Sequence, residues 1–190
     1  MNLFQLWTLF VIVAMPGPPQ ACSAVPLPLL DEPRLRFSET YANETWGFAL
    51  VIPPGMTAYS QASPPYHGVW FVLGDRPHGS VVVSGEANSL EFKTPRAAAR
   101  DQLGMLRKEG KKIESNSLTT SRLGGLSAAR METRYRCNGD PANYVELYVV
   151  ALSPQKGPLY DLVLTTTVDR LSEDRAIFEG ILRNWKLIGR

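Results

Sequence analysis

The sequence predicts an α+β domain in which helices pack on an antiparallel sheet of six or seven strands. Three observations carry this. Short runs rich in β-branched and aromatic residues recur along the chain, bounded by Gly, Pro and Asn clusters. Most connections between them fall short of the dozen or so residues that a parallel crossover needs. Two segments instead repeat apolar residues at helical spacing, giving the order β, ββ, α, ββββ, α.

The 190 residues suit one domain plus a leader. With 44% hydrophobic and 20% charged residues, the chain can build a core and is not a disordered polymer. Its 20 basic and 18 acidic residues leave a net charge of +2. That balance argues against a nucleic-acid binder, which needs a basic excess to displace counterions from phosphates.

The leader spans 1–24. Leu3 to Met15, LFQLWTLFVIVAM, is apolar apart from Gln5 and Thr8 and is closed by Pro16-Gly17-Pro18-Pro19. A bilayer core needs about 20 apolar residues in a helix, so this run has the length of a signal-peptide hydrophobic region. No Lys or Arg precedes it. The reading is export, to a periplasm or to the medium. Small residues stand at −3 and −1 for a cut after Ser23 (Ala21 and Ser23) or after Ala24 (Cys22 and Ala24). Either cut discards Cys22 and leaves Cys137 as a single thiol. Two alternatives stay open. Pro19-Gln20-Ala21-Cys22 has the form of a lipoprotein signal, in which Cys22 would tether the protein to a membrane. An even pair of cysteines in an exported chain also allows a Cys22–Cys137 disulfide.

Residues 25–43 are proline-punctuated, show no sustained period and read as a tether. Asn43-Glu44-Thr45 matches a glycosylation sequon, which matters only in a eukaryotic secretory pathway. The domain proper is read as 44–190. Trp46, Phe48, Leu50 and Ile52 alternate, predicting a strand that ends at Pro53-Pro54-Gly55. Residues 56–68 read as a loop. WFVLG (70–74) and SVVVSG (80–85) read as two strands separated by DRPH. Thr94-Pro95 opens a helix, since threonine can cap free amides and proline has no amide to lose at the first helical position. Ala99, Leu103 and Leu106 give its apolar stripe, and Gly110 ends it. Residues 111–123 form a strand, Gly124-Gly125 a turn, and Met131, Thr133 and Tyr135 alternate with charged residues along a half-buried strand. After the turn at Asn138-Gly139-Asp140-Pro141, YVELYVVAL (144–152) and LYDLVLTTTV (159–168) suit adjacent antiparallel strands. A last helix is capped by Ser172, carries Glu173 and Asp174 in its first turn, and presents Ile177, Phe178, Ile181, Leu182 and Trp185 along one face.

Three stretches resemble the PsbP-like superfamily, which includes extrinsic lumenal proteins of photosystem II, related bacterial exported proteins and the Mog-type Ran-binding proteins. TWGFALVIPPGM (45–56) resembles the family's opening strand and its Pro-Gly turn. LGGLSAARMETRYR (123–136) resembles its small-residue turn into a long strand. YDLVLTTTVDRLSEDRAIFEGILRNWKL (160–187) resembles its closing strand and helix. The resemblance spans 44–188 and implies an α/β/α sandwich acting as an adaptor or assembly factor through protein contacts, with no shared catalytic centre. Some members involve metals, but no such ligand motif maps onto positions here.

The residues themselves offer little chemistry. His67, Asp75 and His78 could together offer imidazole and carboxylate to a Zn or Mn ion, but their spacing matches no metal motif, and solvated loop histidines explain them as well. Ser84 and Ser127 miss the GxSxG elbow. Cys137, beside Arg134 and Arg136, would be a nucleophile only if those charges lowered its pKa. NGDPAN lacks the carboxylates of a calcium loop, and no phosphate-binding glycine motif occurs. The expectation is therefore a monomeric binding protein without catalysis or cofactor. The alternative is a carrier of a small ligand or metal held between sheet and helices. Candidate partner contacts are the basic stripe Arg130, Arg134 and Arg136, the group Lys108, Lys111 and Lys112, and the aromatics Tyr66 and Trp70. A solvated sheet face and a core rim explain them equally well.

Overall fold

The computed structural model describes residues 35–60, 67–73, 79–154 and 157–189. Asp75, His78, Tyr66 and Cys22 lie outside them.

Eight strands form one antiparallel sheet. In chain order they are β1 (Arg36–Phe37), β4 (Ala58–Ser60), β5 (Gly68–Val72), β6 (Ser80–Glu86), β7 (Lys112–Leu123), β8 (Leu126–Arg136), β9 (Asn143–Leu152) and β10 (Leu159–Thr167), and they lie side by side as β1-β4-β5-β6-β10-β9-β8-β7. The chain meanders through β4, β5 and β6. It then crosses by α1 (Pro95–Lys108) to the far edge and meanders back until β10 pairs with β6. A second sheet joins β2 (Thr40–Asn43), β3 (Phe48–Val51) and β11 (Lys186–Leu187) in the order β11-β3-β2, with α2 (Leu171–Asn184) feeding into β11.

Side-chain alternation assigns the layers. Val145, Leu147 and Val149 of β9 and Leu162 and Leu164 of β10 share a core with Phe178 and Ile181 of α2 and with Phe48 and Leu50 of β3. Tyr148 and Val150 of β9, with Ala129 and Met131 of β8, face the other way and pack under Ala98, Ala99 and Leu103 of α1. The main sheet is thus a middle layer, and β9, covered on both sides, is buried along almost all its length. That is why YVELYVVAL is nearly continuous apolar text.

The first helix forms as its residues dictate. Thr94 Oγ1 accepts from the Ala97 amide at 3.2 Å, Pro95 takes the first helical position, and the chain leaves the helix through Gly110 at φ +80°. The second helix corrects its expected start. Arg170 holds the N-cap position without a side-chain capping bond, and Ser172 lies inside the helix. Asp174 is buried, accepting from the Thr166 hydroxyl and, at 3.3 Å, from the Arg170 guanidinium, so its charge is used against β10.

Four further differences concern short or remote pairings. The main sheet has eight strands, not six or seven. β1 and β2 fall inside the stretch read as a tether, and β4 inside the stretch read as a loop. β3 belongs to the small sheet, where Lys186 and Leu187 pair with Ala49 and Phe48. The sequon asparagine is a structural group: Asn43 is buried, its amide donates to the Tyr41 hydroxyl at 2.9 Å, and its oxygen accepts from the Trp46 amide at 3.1 Å.

Candidate functional site

Three connections at one end of the sheet enclose a cleft of about 670 Å³. The first is the β6–α1 loop. Asn88 shapes it by accepting from the Phe92 amide and donating to the Phe92 carbonyl, both at 2.9 Å, while Glu91 adopts φ +52°. The second is the β7–β8 turn, where Gly124 and Gly125 take positive φ. The third begins at Leu152-Ser153-Pro154. Phe92, Leu126 and Leu152 supply apolar lining, and Asn88, Ser127 and Ser153 supply polar groups. On the rim, Lys93 and Glu91 approach to 3.9 Å, both largely exposed. Leu90 on the same loop is 66% exposed. The lining can hold an extended, mostly apolar segment, with amide and hydroxyl groups for its backbone.

Among the described residues singled out from the sequence, Ser127 alone lines this cleft. His67 lies at the entry to β5, where its ring stacks on Trp46 at 5.4 Å and Nδ1 donates to the Gly85 carbonyl at 3.2 Å. It is a packed ring, not a solvated loop residue, and Asp75 and His78 are outside the described residues. Among the described residues, no three His, Cys, Asp or Glu side chains cluster as metal ligands would. Trp70 lies within β5, 8% exposed and stacked on Tyr59 at 5.2 Å. It belongs to the sheet and is no open aromatic contact.

The basic stripe is paired within the molecule. Arg130 meets Glu179 of α2, Arg136 meets Glu114 of β7 at 2.5 Å, and Glu132 is shared by Arg134 at 3.4 Å and Arg175 of α2 at 2.8 Å. These pairs tie α2 to the sheet edge and leave little free positive charge along β8. Lys111 is likewise engaged, with Glu109 at 2.9 Å and over the Tyr135 ring.

Cys137 is buried beside Tyr135 and Tyr144, and it is disulfide-bonded. It therefore offers no nucleophilic thiol. The Asp140 carboxylate accepts from the Ala142 amide at 2.8 Å and the Tyr144 hydroxyl at 2.6 Å, so it builds the turn and leaves no calcium loop.

Two carboxyl groups that motif reasoning passed over are the most perturbed. Glu146 is buried under α1, where Gln102 Nε2 donates to it at 3.0 Å; burial raises its pKa, which Gln102 and Lys111 partly offset. Asp161 accepts from Ser84 Oγ at 3.0 Å, and its pKa is raised to about 7, first by burial and then by the Glu86 charge. The available signal was a single acid in an otherwise apolar strand. Among the described residues no imidazole is hydrogen-bonded to either member of the Ser84–Asp161 pair, so the bond fixes a side chain.

Asp161 makes stability depend on pH. Its folded state holds a proton more tightly than the unfolded chain, where the ordinary value is 3.8. The contribution is fully present below about pH 4, fades as pH rises toward 7, and is flat beyond. Asp161→Asn keeps the acceptor for Ser84 and removes the charge. It is expected to stabilise the protein at pH 8 by up to about 4 kcal/mol and to flatten the pH 4–7 slope. Urea titrations at several pH values check this; an unchanged slope would place the titration elsewhere.

No protein-family model matches the sequence, and no curated protein matches it. Solved structures do match its fold. The solution structure of cyanobacterial PsbP (CyanoP) from Synechocystis sp. PCC 6803 superposes with a TM-score of 0.55 at 14% identity, covering 82% of this chain and 93% of that one. The Saccharomyces cerevisiae Ran-binding protein Mog1p gives 0.53 at 9% identity, over 83% and 96%. A crystal structure from Bacteroides thetaiotaomicron gives 0.53 at 11% identity, over 80% of this chain but 49% of that one. The chain has the PsbP-like fold, as its three resembling stretches imply. At these identities the fold is what is shared.

Proposed function

We propose that this protein is an exported, non-catalytic binding domain, an adaptor or assembly factor that works through protein–protein contacts at an envelope or lumenal surface. The observation that carries the reading is the cleft between the N-terminus of α1 and the β7–β8 turn. Its lining combines the apolar Phe92, Leu126 and Leu152 with the polar Asn88, Ser127 and Ser153, beside the exposed Leu90 on a loop stiffened by Asn88. A surface that mixes apolar side chains with hydroxyl and amide groups is suited to protein recognition. One neighbour in fold, Mog1p, is by name a Ran-binding protein, which supports a binding role by analogy of fold alone. Export is supported by the bonded state of Cys137, because disulfides persist in oxidising compartments. No helix among the described residues is long and apolar enough to cross a membrane.

A second reading, a carrier of a small ligand, draws on the cleft's volume, which falls within the range of small-molecule pockets. One experiment separates the two. The full-length protein and its Ser127→Trp variant are affinity-purified from native cells, with mass spectrometry of both denatured and native samples. Ser127 is exposed, so tryptophan there fills the cleft without disturbing the core. A stoichiometric protein partner should accompany the wild type and fall about tenfold in the variant, with the melting temperature unchanged. Equal retention removes the cleft from the interface. A bound small molecule and no protein reverses the order of the two readings.

A further inference from the structure

The β7 edge of the main sheet is open. β7 pairs with β8 on one side, and no described strand pairs with its other side. Glu114, Ser115, Asn116, Ser117, Thr119 and Thr120 are all exposed, so side chains on both faces of this edge reach solvent. Long sheet edges are normally blunted by charge, proline or a bulge. Here Lys112 and the irregularity between Ile113 and Ser115 blunt one end only. From Ser115 to Ser121 the edge carries neither charge nor proline.

The hairpin turn fixes which backbone groups point outward. Gly124 and Gly125, both at positive φ, make a two-residue turn between Leu123 and Leu126. Such a turn bonds the residues that flank it, and antiparallel pairing alternates from there, so Leu123, Ser121, Thr119 and Ser117 bond to β8. Asn116, Leu118, Thr120 and Arg122 turn their backbone groups to the open side. Leu118 packs toward α1, and the other three share its face.

α1 borders that edge with one sign of charge. Gln102 donates to Glu146 on β9, which fixes the rotation of the helix. Arg96, Arg100 and Arg107 form a stripe with Leu103 on the other flank, toward β7. All three are exposed, as is Arg122, whose guanidinium donates to the Gly125 carbonyl. Among the described residues none of these four arginines meets an acidic side chain. The nearby acids are engaged or turned away. Glu109 meets Lys111, Glu114 meets Arg136, and Asp101 lies on the side of Tyr148. A second copy fits this edge badly, because pairing β7 with itself would bring two arginine flanks together over the seam.

We propose that the β7 edge docks an extended acidic segment of a partner protein, which joins the sheet as an added strand with carboxylates beneath the arginines of α1. The outward groups of β7 supply main-chain hydrogen bonds, and the arginines select the side chains. Arg96 and Arg100 are about 6 Å apart along the helix, close to the spacing of about 6.6 Å between same-face residues of a strand. None of the four arginines lines the cleft, so this site does not depend on what the cleft holds.

Titration of the full-length protein with a capped peptide of about nine alternating Glu and Thr residues, enough to span the open edge, tests this. The same peptide with Lys in place of Glu is the control. The acidic peptide should bind at least about tenfold more tightly than the control and lose affinity as salt rises. Arg100→Glu/Arg107→Glu should weaken it about tenfold. Amide exchange separates strand addition from charge alone. The Leu118 and Thr120 amides should exchange rapidly in the free protein and become protected with the peptide, while Thr119 stays unchanged. Thr120→Pro removes an outward amide and spares the β8 pairing, so it should cut binding about tenfold at an unchanged melting temperature. If that variant does not fold, the arginine variant and the exchange data decide. No preference for the acidic peptide, or binding without protection of those amides, overturns the proposal. So do Leu118 and Thr120 amides already protected in the free protein, as a second copy or another segment of the chain on the edge would show.

Discussion

Phe178→Ala is expected to lower unfolding stability by about 3–5 kcal/mol, the range for truncating a buried phenylalanine. Phe178 is fully buried, and with Ile181 it fixes α2 against Val145, Leu147 and Val149 of β9 and against the small sheet. The same core includes Phe48, whose ring stacks on Trp185 at 5.9 Å just past the end of α2. A cavity at residue 178 therefore loosens a helix, the sheet beneath it and the β3–β11 pairing together. Domains of this size hold about 5–15 kcal/mol in total, so the loss is a large share. Urea unfolding should show a lower midpoint at unchanged slope, as expected when stability falls and the surface exposed on unfolding does not. A loss under about 1 kcal/mol would mean that α2 is not the anchor the packing describes.

What the sequence made legible follows from how far each element's reasons lie from it. α1 carries its reasons within itself: a capping threonine, a proline at the first helical position and an apolar stripe. β9 and β10 are long enough for their apolar text to declare them. β1 and β4 have two and three residues, too few to show a period, and exist because neighbours pair with them. The Arg130–Arg136 stripe was visible, but its acidic partners were not. Glu179 is 49 residues from Arg130, and Arg175 is 43 residues from the Glu132 it shares with Arg134. Spacing gives the row of charges and says nothing of what folds over it. The cap at Ser172 failed for a related reason, since Asp174 is drawn to Thr166 on a neighbouring strand. Asp161 stood out as one acid among apolar residues, yet its hydrogen-bond partner Ser84 lies 77 residues away on β6.

The cleft was hidden for the same reason. Its lining comes from the 88–95, 125–127 and 152–154 stretches, none of which carries a ligand-binding motif. They meet because α1 returns the chain to the far edge of the sheet, so that the β7–β8 turn and the end of β9 stand beside the N-terminus of α1. The resemblance to PsbP-like proteins anticipated that layering while naming no site. Topology made the site here.

Gly68→Ala should destabilise the protein by about 3 kcal/mol or more, placing it among the few single-atom additions with effects of that size. A Cβ at this position would lie 1.8 Å from the Val83 carbonyl oxygen and 2.8 Å from Ser84 Cα. Both are backbone atoms of the central strand β6, so no side-chain rotation relieves the clash, and the start of β5 must move away from its partner. Two neighbouring bonds would go with it: His67 Nδ1 to the Gly85 carbonyl, and the Gly85 amide to the His67 carbonyl at 2.8 Å. Gly104 supplies the contrast. It lies inside α1 with nothing within 4 Å of an added Cβ. Gly104→Ala should therefore stabilise the protein by about 0.5–1 kcal/mol, because alanine loses less backbone entropy on entering a helix. Opposite signs for the same added methyl would tie the effect to the approach of β5 and β6. A Gly68→Ala protein as stable as the wild type would mean that these strands are further apart than their pairing implies.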